Sequence, residues 1–162
     1  MAVQQPILDP RGLSLDNPIA DLEQIRAHVP QRFEFEMLHG ILHFDQEQGI
    51  GAAYKKIGAE EFWVRGHIPG RPLFPGVLMI ETAAQLCCYV FCRSQQDGRF
   101  FAFGGVDQVR FRGTVLPGDQ LIIMVKSKRM RSNLGQFNSQ AYVDNKLVYD
   151  GIITGMILAD DR

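Results

Sequence analysis

Glu81 stands where a carboxylate is out of keeping with its surroundings. The run Val77 to Arg93 contains no glycine or proline, and its length suits one helix of about four turns. Val77, Leu78, Met79, Ile80, Ala83, Ala84, Leu86, Cys87, Cys88, Val90 and Phe91 make it apolar on nearly every face. A helix apolar all round is a buried helix. Only Glu81, Thr82 and Gln85 interrupt it, and Glu81 and Gln85 share a face at i and i+4. An ionised carboxylate in a core is costly unless paired or neutralised. Glu81 is therefore a candidate functional acid; the plain alternative is a helix face that meets water.

The segment before the helix supplies a base. His67-Ile68-Pro69-Gly70-Arg71-Pro72-Leu73-Phe74-Pro75-Gly76 carries three prolines, each fixing φ and leaving the loop few conformations. The loop runs from His67 to a helix start at Gly76-Val77. Free backbone N–H groups and the positive dipole end at such a start can hold a developing oxyanion. One short segment thus offers a base, an oxyanion site and a buried acid.

The elements that must position these groups read as α+β. Asn17-Pro18 resembles a helix start, with Ile19, Leu22, Ile25 and Val29 at helical spacing and Pro30 closing the helix. Met37 to Phe44 and Ile50 to Ile57 read as strands around a turn at residues 46–49. After the central helix come Phe100 to Phe111, Leu121 to Val125, Gln136 to Val143 and Leu147 to Leu158. Pro117-Gly118-Asp119 and Asp144-Asn145 mark turns. A strand pair, one helix and several antiparallel strands is an α+β order. Residues 1–18 read as an irregular extension and 19–162 as a single domain.

The 162 residues suffice for one domain with a real core. With 17 Lys+Arg against 18 Asp+Glu, no global basic field exists to drive nucleic-acid binding. The first residues lack a basic stretch followed by an apolar one, so no signal peptide is expected. The apolar run at Val77 is shorter than the roughly 20 residues of a membrane span and is interrupted by Glu81 and Gln85, so no span is expected either. Three closely spaced cysteines, Cys87, Cys88 and Cys92, are not a disulfide framework and read as reduced, cytoplasmic thiols.

The block His67 to Gln85 resembles the signature of the (3R)-hydroxyacyl-acyl-carrier-protein dehydratases of the FabZ type, roughly H-F-P-x-x-P-x-x-P-G-V-L-x-x-E-A-x-A-Q. Ile68 and Thr82 are the two departures from its fixed positions. Gly105-Val106-Asp107-Gln108-Val109-Arg110-Phe111-Arg112 with Pro117-Gly118-Asp119-Gln120-Leu121 resembles a second family block, and Pro30-Gln31-Arg32-Phe33 a third. In that third block Glu34 and Gly40 replace a family Pro and Asp. The resemblance covers roughly residues 19–158. It implies a hotdog fold, a long antiparallel sheet wrapped around one central helix, in a homodimer that can assemble further into a hexamer. It further implies that His67 of one subunit and Glu81 of the other share a site.

By the same resemblance, His67 removes the C2 proton and Glu81 supports departure of the C3 hydroxyl. The Gly76 N–H meets the thioester oxygen, the Leu73 carbonyl orients the His67 ring, and Gln85 orients Glu81. Related dehydratase–isomerases carry Asp where this chain has Glu81, which favours dehydration without isomerisation. No cofactor or metal is required. The partner implied is acyl carrier protein bearing the hydroxyacyl group. Arg71, Arg110 and Arg112 are candidates for docking this acidic protein, as are Lys126, Lys128, Arg129 and Arg131. Phe74, Met79, Phe101 and Phe103 are candidates for the wall of an acyl tunnel.

His39 and His43, spaced to share a strand face, lack a third metal ligand nearby. A hotdog thioesterase and a non-catalytic acyl-binding protein are the competing readings. The His67 loop argues against the first, and the intact His67 and Glu81 against the second.

Overall fold

A computed structural model describes residues 5–96 and 99–158 of the chain. Six strands form its sheet: β1 (Gly40–Asp45), β2 (Ile50–Lys56), β3 (Phe101–Phe111), β4 (Gln120–Arg131), β5 (Leu134–Val143) and β6 (Lys146–Ile157). Their spatial order is β1-β2-β4-β5-β6-β3, and every neighbouring pair is antiparallel. A short helix α1 (Leu22–Arg26) precedes the sheet, and the long helix α2 (Gly76–Gln95) packs against β2 through β6. This is the expected sheet around one central helix.

Local chemistry accounts for these elements. Asp144 and Asn145 both take positive φ, 47° and 63°, as the two-residue turn between β5 and β6 requires. Leu121, Ile123 and Val125 alternate along β4 and join α2 in the core, the period-2 pattern of a strand facing a core. Leu86 and Phe91 of α2 are fully buried there. Gly51 lets the helix ride close on β2, since a Cβ there would lie 2.5 Å from Val90. The length and apolar composition of α2 would allow it to cross a membrane, but it is the buried core helix.

Three expectations about elements need correction. The first helix does not start at Asn17-Pro18. Ala20 instead bridges to Ile41 as a strand would, and α1 begins after Asp21, whose side chain and Gln24 form a reciprocal capping box. The first strand begins at Gly40 rather than Met37, because the 3-10 turn Phe33–Phe35 and the segment after it are tied to α2. A β-bulge between Ile41 and His43 breaks the alternation that would have set His39 and His43 on one face. The His39 Nδ1 accepts the Lys56 N–H at 2.9 Å.

Residues 5–18 are irregular apart from a 3-10 turn at Pro10–Gly12. They lie on the sheet face away from α2, where Ile7, Leu8 and Leu13 pack on Ala52, Met124 and Tyr142. The Gln140 amide holds them there, accepting the Ile7 N–H at 2.8 Å and donating to the Gln5 carbonyl at 3.1 Å.

Candidate active site

The loop between β2 and α2 fixes His67 at two points. Its backbone N–H donates to the Trp63 carbonyl at 2.7 Å. Its ring Nδ1 lies 2.8 Å from the Leu73 carbonyl oxygen. A carbonyl only accepts, so Nδ1 carries the proton and Nε2 of the neutral ring keeps a lone pair. Ile68 follows at φ 60°, a strained conformation for a β-branched residue and of the kind that gathers at functional sites.

From Leu73 the chain enters α2. The Phe74 N–H donates to the Val115 carbonyl at 2.8 Å. Pro75 takes the N-cap position, and no side chain caps the helix, so the first-turn N–H groups have no side-chain acceptor. Gly76 opens the helix with Phe111 of β3 against it: a Cβ at Gly76 would lie 2.8 Å from that ring. Only a residue without a side chain lets the ring approach this backbone. His67, Leu73, Phe74, Gly76, Met79 and Phe111 line one cavity of about 330 Å³, completed by Pro75, Val77 and residues 113–115.

Glu81 does not line that cavity. It lies one turn into α2, where its Oε1 accepts from Gln85 Nε2 at 2.8 Å. The same Nε2 donates to the Phe35 carbonyl at 2.7 Å, and Gln85 Oε1 accepts the Met37 N–H at 3.1 Å. These backbone groups dictate the orientation of the amide, so Gln85 must present a donor to Glu81. Burial raises the Glu81 pKa, and the Gln85 hydrogen bond opposes that rise. Oε1 is thus engaged by Gln85, and the carboxyl holds its proton more tightly than a free one would.

Within one chain the structure brings His67, Leu73 and Gly76 together, and separately Glu81 and Gln85. Of the tunnel candidates, Phe74 and Met79 are buried against the His67 cavity. Phe101 stacks on Phe91 in the core and borders a different cavity near α1, while Phe103 is exposed. Among the docking candidates, Arg71 lines a neighbouring cavity with Pro72, Leu73, Thr114, Leu116 and Pro117. Arg112 is paired with Asp150, and beside it Arg110 donates to its own strand at Val109. Lys126, Arg129 and Arg131 lie along β4 with Lys128.

Sequence reasoning missed Phe111 as a wall of the site, although it lies inside the second motif block. It also missed the Phe35 and Met37 backbone groups, which carry no side-chain signal. Among the described residues no three side chains cluster as metal ligands.

Comparison with known proteins gives the family. The FabA-like domain model matches residues 29–152. A 3-hydroxyacyl-acyl-carrier-protein dehydratase FabZ of Lawsonia intracellularis is 35% identical over 138 residues, covering 83% of this chain and 90% of that one. The FabZ of Escherichia coli O9:H4 is 35% identical over 130 residues, covering 78% and 85%. Among solved structures, the dehydratase heterocomplex ApeI:P of Xenorhabdus doucetiae superimposes with a TM-score of 0.70 at 13% identity, covering 84% of this chain and 91% of that one. The E. coli PaaI protein of the phenylacetic acid degradation operon gives 0.56 at 16%, covering 72% and 80%. At such identities these two show the fold alone, a hotdog. The family model and the FabZ relatives, matched across most of both chains, show that this chain belongs to the FabA-like family as a FabZ-type member.

Proposed function

We propose that this protein is a hydro-lyase that converts (3R)-3-hydroxyacyl thioesters on acyl carrier protein to trans-2-enoyl thioesters in type II fatty acid synthesis. The observation that carries the reading is the His67 Nδ1 contact with the Leu73 carbonyl. It leaves Nε2 as a base in a cavity that also holds the start of α2.

The thioester carbonyl oxygen sits at the Gly76 N–H, where the helix end stabilises enolate charge. His67 Nε2 takes the C2 proton. Glu81 Oε2 gives its proton to the C3 hydroxyl, the C3–O bond breaks, the C2–C3 double bond forms and water leaves. Gln85 holds the acid, and Phe74 and Met79 begin the apolar wall for the acyl chain. The other tunnel and docking candidates, Phe101, Phe103, Arg71, Arg110 and Arg112, do not line the His67 cavity. Arg112 is already engaged by Asp150.

In one chain Glu81 lies outside the His67 cavity, which supports a site completed by Glu81 of a second copy. The edge strand β3 supports this too, because Phe103, Val106 and Phe111 are exposed along it. An unpaired apolar edge is a surface for another chain. We take the assembly as a homodimer, with a trimer of dimers as its larger form. We take residues 19–162 as the catalytic domain and 1–18 as an extension to it, of which 5–18 lie on the sheet. The close spacing of Cys87, Cys88 and Cys92 on one helix, which is not a disulfide framework, supports a cytoplasmic location.

The test is turnover of a (3R)-hydroxyacyl thioester by the wild type, His67→Ala and Glu81→Gln. Reversible formation of the enoyl thioester, lost in both folded variants, is the expected result. Release of free acid without dehydration would instead mark a thioesterase, and acyl binding without either product a binding protein.

A further inference from the structure

A lysine lies buried beneath the His67 loop. Lys55 of β2 is 3% exposed, and its Nζ lies 2.9 Å from Glu61 Oε2. The same Oε2 accepts from Trp63 Nε1 at 3.0 Å, and Glu61 Oε1 accepts the Gly58 N–H at 2.8 Å. Burial pushes the Glu61 carboxyl up, but the hydrogen bonds from Gly58, Lys55 and Trp63 more than reverse this and hold it below its ordinary range. The carboxylate is thus ionised and saturated with donors. A buried ion pair is weak support for stability, since apolar residues of equal volume often serve as well. Its better-attested use is to fix geometry.

Both contacts that hold His67 trace back to this pair. The Trp63 carbonyl receives the His67 N–H, and the Trp63 indole is tied to Glu61. The Leu73 carbonyl receives the imidazole, and the next residue, Phe74, packs edge-on against Trp63 with ring centroids 5.5 Å apart. Lys55 Nζ lies 5.9 Å from the Phe74 ring centroid. The backbone anchor and the ring anchor of His67 therefore rest on one cluster.

We infer that Lys55, Glu61 and Trp63 are positioning residues for His67, setting the angle at which Nε2 enters the cavity. The inference rests on the proposed role of His67 as the base. None of the three lines the His67 cavity, so their effect falls on the proton-transfer geometry and not on substrate binding. Misplacing a reacting group by about 1 Å can cost on the order of a hundredfold in rate.

The experiment compares wild type, Lys55→Met, Glu61→Gln, the double variant Lys55→Met with Glu61→Gln, and Trp63→Phe. Trp63→Phe keeps an aromatic ring beside Phe74 but removes the Nε1–H donor to Glu61 together with the second ring of the indole; it carries the test if a charge variant fails to fold. Thermal melts and size-exclusion profiles select the folded proteins, assayed well below their midpoints. Trp63 is the chain's only tryptophan, so its emission reports whether the indole has shifted in the Lys55 and Glu61 variants.

The expected result is kcat lowered about ten- to a hundredfold with KM within about threefold of wild type. The emission shifts, and the double variant is no worse than the poorer single, because residues acting as a unit do not add. Folded variants that keep kcat within about twofold, or that raise KM at unchanged kcat, would overturn the inference. Wild type without dehydration would overturn the functional reading itself. Normal wild type, a dead His67→Ala and unaffected Lys55→Met and Trp63→Phe would overturn this inference alone.

Discussion

A carboxyl whose pKa is raised by burial makes opposite demands on activity and stability, and Glu81 is such a group. Its pKa is raised by desolvation, so the folded chain holds the proton to higher pH than the unfolded chain does. Between the ordinary value of about 4.3 and the folded value, unfolding releases a proton. Stability therefore falls as pH rises through that window, and above it the penalty of a half-buried charge is in place. Glu81→Gln removes the penalty and still accepts from Gln85. It should melt higher than wild type at pH 7–8, converge with it near pH 4, and lose dehydration; melts across pH check this, and a lower midpoint at pH 8 would refute the account. Glu81 and His67 were legible in the sequence because one is polar within an apolar helix and the other begins a proline-stiffened loop. What orients Glu81 was only half legible. Gln85 showed itself by its spacing, but its other partners are the Phe35 carbonyl and Met37 N–H, some fifty positions away and without side-chain character.

The single side chain of Gln85 joins two elements, α2 and the 3-10 turn Phe33–Phe35. Replacing it by Leu leaves the buried Met37 N–H and the part-buried Phe35 carbonyl without their partner. A buried unsatisfied group costs about 1–3 kcal/mol, so the Met37 N–H alone should make Gln85→Leu less stable by about that much in denaturant unfolding. It should also lower kcat more than KM changes, because Glu81 loses its fixed donor. Phe33 takes φ 58°, costly for an aromatic residue, and the turn it starts delivers the Phe35 carbonyl to Gln85. Here the departure of Glu34 from the family's proline falls in the segment that holds the acid. The order of elements was readable from hydrophobic period and turn residues, and the β5–β6 turn from Asp144-Asn145. The start of α1 was not, since a strand-like bridge from Ala20 to Ile41 is a long-range pairing that overrides the local Asn-Pro signal. The bulge in β1 was invisible for the same reason: it is set by the partner strand.

Over the whole molecule, two surfaces of the sheet are finished differently. The face away from α2 is covered by the chain's own residues 5–18, which bury Met124 and Tyr142. Deleting residues 1–13 would expose them at a cost on the order of 3 kcal/mol, or roughly 6–12 °C in the melting midpoint. Turnover should persist at low temperature, because none of the described residues 5–13 lines the His67 cavity. Calorimetry of the shortened chain checks the first point and an assay the second.

The β3 edge is finished by no part of the described chain, and the acid lies outside the cavity that holds the base. If two copies pair so that each supplies Glu81 to the other's His67, inactive variants must complement. Consider a dimer of one His67→Ala chain and one Glu81→Gln chain. One of its two sites carries both substitutions and is dead. The other takes His67 from the second chain and Glu81 from the first, and is intact. Random pairing makes about half the dimers mixed, each with one live site, so co-expression of the two variants should restore about a quarter of wild-type turnover. Equal amounts of the two purified homodimers, assayed before exchange, should show none. A site built within one chain predicts no recovery at any time, so the rise from zero towards a quarter decides whether the acid comes from the partner.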